Sequence, residues 1–193
     1  VYRELTDQEI ITGCANGEHQ ALNELITKFY PVVMRICVSI LGVRDVEDHA
    51  QEIFMNILQR SGKLAEVTSL FGWIYRITVN ECRDVIRRQK IRRLISLSGY
   101  SQDRVDKLVI EDEMMSKHIE DQELWTMLQA TLQQLEPRYR ELVVLRDMEG
   151  LSYEEIAQIT GTSLGLVKSR LFRAREILGK KMRVLSGEEE YVQ

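Results

Sequence analysis

Residues 167–175, "VKSRLFRAR", place four cations in nine positions of a chain whose formal charge is −4. Lys168 and Arg173 carry donors suited to a guanine edge, Ser169 accommodates several bases, and Phe172 can lie against a thymine methyl. Arg170 and Arg175 border that set, where cations meet phosphates on the groove walls. A second set, Trp73, Arg76, Asn80, Arg83 and Arg87, recurs along "WIYRITVNECRDVIR". There a flat ring can stack an unpaired base, guanidinium groups can hold phosphates, and the amide can pair with a base edge. The first set suits a duplex groove; the second suits a single strand or a melted duplex.

Each set needs an element to present it. Ser152 and Glu155 form a capping box that opens "YEEIAQIT", Gly161 supplies a left-handed turn, and Ser163 can cap a following helix. In that helix Leu164, Val167, Leu171, Ala174 and Leu178 recur at alternating spacings of three and four, which makes a helix-turn-helix. A core stripe and a groove-facing side then interleave, with Gly165, Lys168, Ser169, Phe172 and Arg173 outward. For the second set, a helix over 71–93 gathers Phe71, Ile74, Tyr75, Thr78, Cys82, Val85 and Ile86 on a core side. Opposite them fall Trp73, Arg76, Asn80, Arg83, Asp84 and Arg87, with Lys90 at the margin. Solvated helix faces usually mix signs; here cations outnumber Asp84, and Trp73 would stand in water.

The rest of the chain reads as helices too. Thr6 with Glu9 makes a capping box for a first helix that Gly17 ends. A run over 19–41 contains Pro31, expected to kink or divide it, and stops at Gly42. From Asp45, "DVEDHAQEIFMNILQR" sets Val46, Ala50, Ile53, Phe54, Ile57 and Leu58 on one face and Asp48, Gln51, Glu52, Met55 and Gln59 on the other. Residues 61–70 read as a loop. An acidic stretch over 96–121, too long for an ordinary internal connection, reads as a linker. Helices follow at about 122–134, 137–147 (Pro137 in its first turn), 153–160 and 164–179. The expected fold is all-α: two small helical domains, 1–95 and 122–187, a flexible linker over 96–121 and a short tail over 188–193.

Composition narrows the function classes. With 44% hydrophobic and 29% charged residues the chain is of globular type. No apolar run approaches the ~18 residues that cross a bilayer, and no signal-peptide pattern opens the sequence. The expectation is a cytoplasmic protein without direct membrane insertion. Cys14, Cys37 and Cys82 read as core thiols of a reducing compartment, and His19, His49 and His118 make no ligand spacing, so neither metal nor cofactor is expected. No phosphate loop and no nucleophile–base pair points to an enzyme.

These motifs carry a resemblance. "LSYEEIAQITGTSLGLVKSRLFRAREIL" resembles region 4 of the extracytoplasmic-function (ECF) sigma factors of the sigma-70 family. "RDVEDHAQEIFMNIL" and "FGWIYRITVNECRDVIRRQK" resemble their region 2, and "LTDQEIITGCANGEHQALNELITKFYP" fits the family's start. The resemblance implies a factor that binds core RNA polymerase and directs sequence-specific promoter recognition and transcription initiation, serving a stress or envelope response and controlled by an anti-sigma factor. Region 2 would meet the polymerase clamp coiled coil through Asp48, Gln51, Glu52 and Met55, and region 4 the flap. Residues 61–70 with Trp73, Arg76, Asn80, Arg83 and Arg87 would read and melt the −10 element of promoter DNA. Lys168, Ser169, Phe172 and Arg173 would read the −35 element, with Arg170, Arg175 and Arg146 at phosphates. The acidic linker would thread toward the polymerase channels. "LAEVTSLFGW" departs from the family pattern, placing Ala65 and Val67 where polar residues are frequent. The competing reading is a stand-alone helix-turn-helix regulator of the response-regulator output type; it leaves the basic aromatic helix at 71–93 without a role.

Overall fold

The structure is a computed structural model that describes residues 4–42, 44–67, 69–96 and 122–185. The expected linker, apart from Ser96, and the expected tail lie outside the described residues. Those described are helical, with no strand among them. The first group comprises α1 (Asp7–Ala15), α2 (His19–Leu41), α3 (Val46–Gln59), a 3₁₀ turn (Ser61–Glu66) and α4 (Leu70–Ser96). The second comprises α5 (Gln122–Gln133), α6 (Pro137–Val143), a π turn (Val144–Met148), α7 (Tyr153–Thr160) and α8 (Leu164–Leu185).

Local chemistry explains most boundaries. The Thr6 side chain accepts from the Glu9 amide while the Glu9 carboxylate accepts from the Thr6 amide, so α1 starts on a complete capping box. Ser152 and Glu155 repeat the device at α7. Gly161 then takes φ 64°, a conformation that would strain a residue bearing a Cβ, and turns the chain toward α8. Asp45 lies in the left-handed region at φ 53° and its side chain caps nothing, so α3 begins at Val46 without a side-chain cap.

Three expectations need correction. Pro31 does not divide its helix: α2 runs unbroken through it. Phe29, Val33, Ile36 and Cys37 are buried on either side, and that packing outweighs the single backbone bond a proline removes. The 61–70 stretch is not all loop, since its first six residues wind into the 3₁₀ turn that buries Leu64. The helix expected over 137–147 changes character at Val144, where one wider turn carries the chain to Glu149. Helices α4 and α8 also run further than their apolar stripes, to Ser96 and Leu185.

Helix α2 is central to the first group, packing on α1, α3 and α4. Its buried Leu25, Phe29, Val33 and Ile36 meet Ile53 and Ile57 of α3 and Ile74 and Cys82 of α4 in one core. In the second group α8 packs on α5, α6 and α7, burying Val167, Leu171 and Ala174 against Leu142, Ile156 and Ile159. The groups also touch one another, through α2 against α5 and α6 and through α4 against α6 and α7, so the apolar core continues from one into the other.

Candidate nucleic-acid interface

Helix α8 carries the duplex-suited set in an open arrangement. Val167, Leu171 and Ala174 are buried, and Gly165, Lys168, Ser169, Phe172 and Arg173 between them are exposed, Phe172 by 66%. A phenyl ring so exposed at the centre of a cationic face lacks a core function and is available to a ligand. Tyr153, at the first turn of α7, lies beneath two cations: Arg146 is 5.0 Å and Lys168 6.0 Å from its ring centroid. Arg170 is half-buried.

The border cations are less free. Arg175 is exposed and ion-paired through Nε and an Nη to the Asp147 carboxylate, which raises its pKa further. Arg146 is half-buried and donates from Nη1 to the Leu151 carbonyl at 2.7 Å. A position that reads as a phosphate contact in the sequence thus also fastens the π turn to the chain entering α7.

Helix α4 presents the second set differently. Asn80, Arg87 and Lys90 are exposed, and Arg87 meets Asp84 at 3.1 Å. Trp73, expected in water, is half-buried against the core. It lines a cleft of about 410 Å³ with Val67 and Arg76 on one side and Leu151, Glu155 and Gln158 on the other. Arg76 donates to the Gln158 carbonyl at 3.4 Å. Arg83 makes a two-pronged pair with Glu141 at 2.7 and 2.9 Å, and a third bond to the Thr160 carbonyl at 3.1 Å. The Glu141 bonds raise the Arg83 pKa against the opposing effect of burial. Phe71, assigned to the core side, is 39% exposed and stacks on Tyr75 at 4.5 Å.

Several of these partners were not singled out in the sequence. Glu149 follows the π turn with only 2% of its side chain exposed. It accepts from Arg35 of α2 at 2.5 and 2.7 Å and from the Tyr75 hydroxyl of α4 at 2.6 Å. Burial first, and then that hydrogen bond, push the Tyr75 hydroxyl pKa far up, so it stays a donor. Arg140, buried in α6, donates to the Ile40 carbonyl of α2 and the Leu135 carbonyl, and burial lowers its pKa to about 10. The one available signal was "RYRELVV", in which Arg140 and Glu141 adjoin an apolar run that has no solvent side to give them.

On α3, Asp48, Gln51, Glu52, Met55 and Gln59 are all exposed, with Met55 at 60%, over buried Ala50, Ile53, Phe54 and Ile57. That acidic face with an unburied thioether is separate from both cationic faces. Among the described residues no group of His, Cys, Asp and Glu could hold a metal ion. None of the described helices is long and apolar enough to cross a membrane.

Comparison with known proteins agrees with this layout. The family model for sigma-70 region 2 matches residues 25–92 and that for sigma-70 region 4 matches 125–178. The ECF RNA polymerase sigma factor SigE of Mycolicibacterium smegmatis is 36% identical over 168 residues, 85% of this chain and 63% of that protein's length. The ECF RNA polymerase sigma-E factors of Haemophilus influenzae and Escherichia coli K12 are 28% and 29% identical, across 94% of this chain and 98% and 97% of theirs. In fold, the chain is similar to CnrH, solved with the cytosolic domain of CnrY (TM-score 0.65, 23% identity, 95% of this chain and 99% of that one). It is equally similar to the Bartonella quintana sigma factor RpoE, solved with the anti-sigma factor NepR (TM-score 0.65, 23% identity, 84% and 96%). With matches to both conserved regions in order along one helical chain, and relatives of one kind across nearly its whole length, this protein belongs to the extracytoplasmic-function sigma factors of the sigma-70 family.

Proposed function

We infer that the chain binds core RNA polymerase and directs it to promoters, as a non-enzymatic initiation factor acting in the cytoplasm. The observation that carries this reading is the presence of two unlike nucleic-acid faces in one chain. The side of α8 bearing Lys168, Ser169, Phe172 and Arg173 has the form that enters a major groove and is assigned the −35 element. The side of α4 bearing Trp73, Arg76, Asn80, Arg83 and Arg87 combines ring, cations and amide and is assigned the −10 element in its melted form. Arg170, Arg175 and Arg146 serve phosphates at the −35 side, the last two after giving up the contacts described above. Asp48, Gln51, Glu52 and Met55 are the surface for the clamp coiled coil, and the second helical group meets the flap.

A domain division at 1–95 and 122–187, with 96–121 as an adjustable tether, fits these roles. Control by an anti-sigma factor, in response to stress or envelope damage, completes the proposal. The Bartonella quintana sigma factor RpoE was solved with an anti-sigma factor bound, which supports looking for such a partner here. The decisive experiment is run-off transcription from a random promoter library with core polymerase. The chain alone should be inert, and with core it should select a defined start point. A chain that shifts promoter DNA by itself and gives core no start point is a stand-alone regulator.

A further inference from the structure

We propose that Leu166, on the first turn of α8, reads a thymine methyl in the −35 element and so helps set which promoters the chain selects. This rests on the assignment of α8 to the −35 element and adds to it one residue and the base that residue selects.

Leu166 has no place in the packing of the fold. It is 41% exposed and stands outside the apolar core that takes Val167, Leu171 and Ala174 of the same helix. Its neighbours leave it uncovered. Gly165 has open space where a side chain would begin, and the Ser169 hydroxyl turns back to donate to the Leu166 carbonyl at 3.2 Å. A single exposed leucine on an ordinary surface needs no explanation. This one is on a reading face. At about 100° per residue, Leu166, Ser169 and Arg173 fall within about 60° of one another, on the side away from the buried stripe. Residues near the N-terminus of a groove-reading helix are the ones that meet base edges.

Chemistry then names the contact. A leucine side chain gains nothing from a phosphate or from the donors and acceptors of a base. It sits among cations that hold DNA close, the exposed Lys168 and Arg173 and the half-buried Arg170. In the major groove the apolar group that a base edge offers is the C5-methyl of thymine. Gly165 lets the backbone of this turn approach the bases. Leu166 and Arg173 are two helical turns apart, a rise of about 10 Å, which matches about three stacked base pairs. The thymine is therefore expected about three base pairs from the base that Arg173 serves. Phe172 also suits a thymine methyl, but it lies about 120° round the helix from Leu166, so the two side chains meet different bases.

The test starts from a promoter selected out of the random library by the full chain with core polymerase. Each thymine of its −35 element is replaced singly by uracil, which pairs as thymine does and lacks only the methyl. Promoter affinity is measured for wild type, Leu166→Ala and Leu166→Met, each assembled with core and checked for folding by circular dichroism. In the wild type, uracil at one position about three base pairs from the Arg173 contact should weaken binding about fourfold, the effect of one buried methyl. Leu166→Ala should bind the thymine promoter more weakly and lose nothing further to that uracil. Leu166→Met keeps an apolar side chain and should keep most of the discrimination. Uracil tolerated at every position, or every uracil effect surviving intact in Leu166→Ala, overturns the proposal. A Leu166→Ala chain that loses affinity for core and keeps its uracil discrimination would place Leu166 against polymerase, and overturns it too. Should core gain no start point, the same comparison is made on a duplex selected by the chain alone. A uracil effect abolished there by Leu166→Ala keeps the methyl contact and removes the −35 assignment; binding to no duplex removes both.

Discussion

Helices α8 and α4 are 22 and 27 residues long and each carries a row of cations opposite an apolar stripe, yet they stand in different surroundings. On α8 the cations and Phe172 face outward between buried Val167, Leu171 and Ala174. On α4, Arg76 and Arg83 are already bonded to the second helical group, and Trp73 is half-buried at its edge. Charge pattern on a helix thus tells which ligand the face suits, and the tertiary partner tells whether the face is available. Under the proposed assignment, an open −35 face and a covered −10 face predict an order of engagement, with the covered face used only after the groups separate.

The strongest way to break the comparison is to remove the support of the open face. Leu171→Ala, at a position 1% exposed, should destabilise the second group by about 2–5 kcal/mol. Thermal unfolding and −35-dependent transcription should fail together; retained promoter selection would mean α8 does not present the reading face. A smaller effect sharpens the same side. Arg173→Ala should cost about 1–3 kcal/mol in promoter binding and relax one −35 position. Equal losses on scrambled promoters would make Arg173 a phosphate contact.

The third prediction separates polymerase binding from both faces. Glu52→Lys on α3 should weaken core polymerase about tenfold, mostly through slower association, and leave −35 duplex binding unchanged. Unaltered affinity for core would remove that surface from the model. The smallest effect tests the turn beneath the open face. Ser152→Ala should cost about 1 kcal/mol near neutrality. Side-chain and backbone bonds from Ser152 hold the Glu155 carboxyl below the usual carboxylate range. A depressed folded pKa gives stability that is complete above the unfolded value and lost as pH falls through the folded one. The difference between wild type and Ser152→Ala melts should therefore narrow in acid; a gap that widens would assign the effect elsewhere.

How much was legible in the sequence follows the range of the interactions. The helix-turn-helix could be read whole, because the Ser152–Glu155 box, the Gly161 turn and the α8 stripe are all written within a few residues of one another. The fold class and both capping boxes were readable for the same reason. The cover over α4 was not, because Glu141 lies 58 residues from Arg83 and Glu149 lies 114 from Arg35. A single-stripe wheel also missed Ile77 and Val79, 4% and 0% exposed, because α4 packs on α2 and α3 and also on α6 and α7. Pro31 misled in the other direction: a local rule predicted a kink or a division, and the helix is not divided there.

The wider turn at Val144–Met148 is in effect one surplus residue stored inside a helix. Each residue of an ordinary helix turns the chain by about 100°, so deleting one here would act as a change of phase, not a shortening. Everything downstream would be rotated as a block, its residues intact and aimed in the wrong direction. Designers grafting this helix-turn-helix onto another scaffold should carry that turn with it.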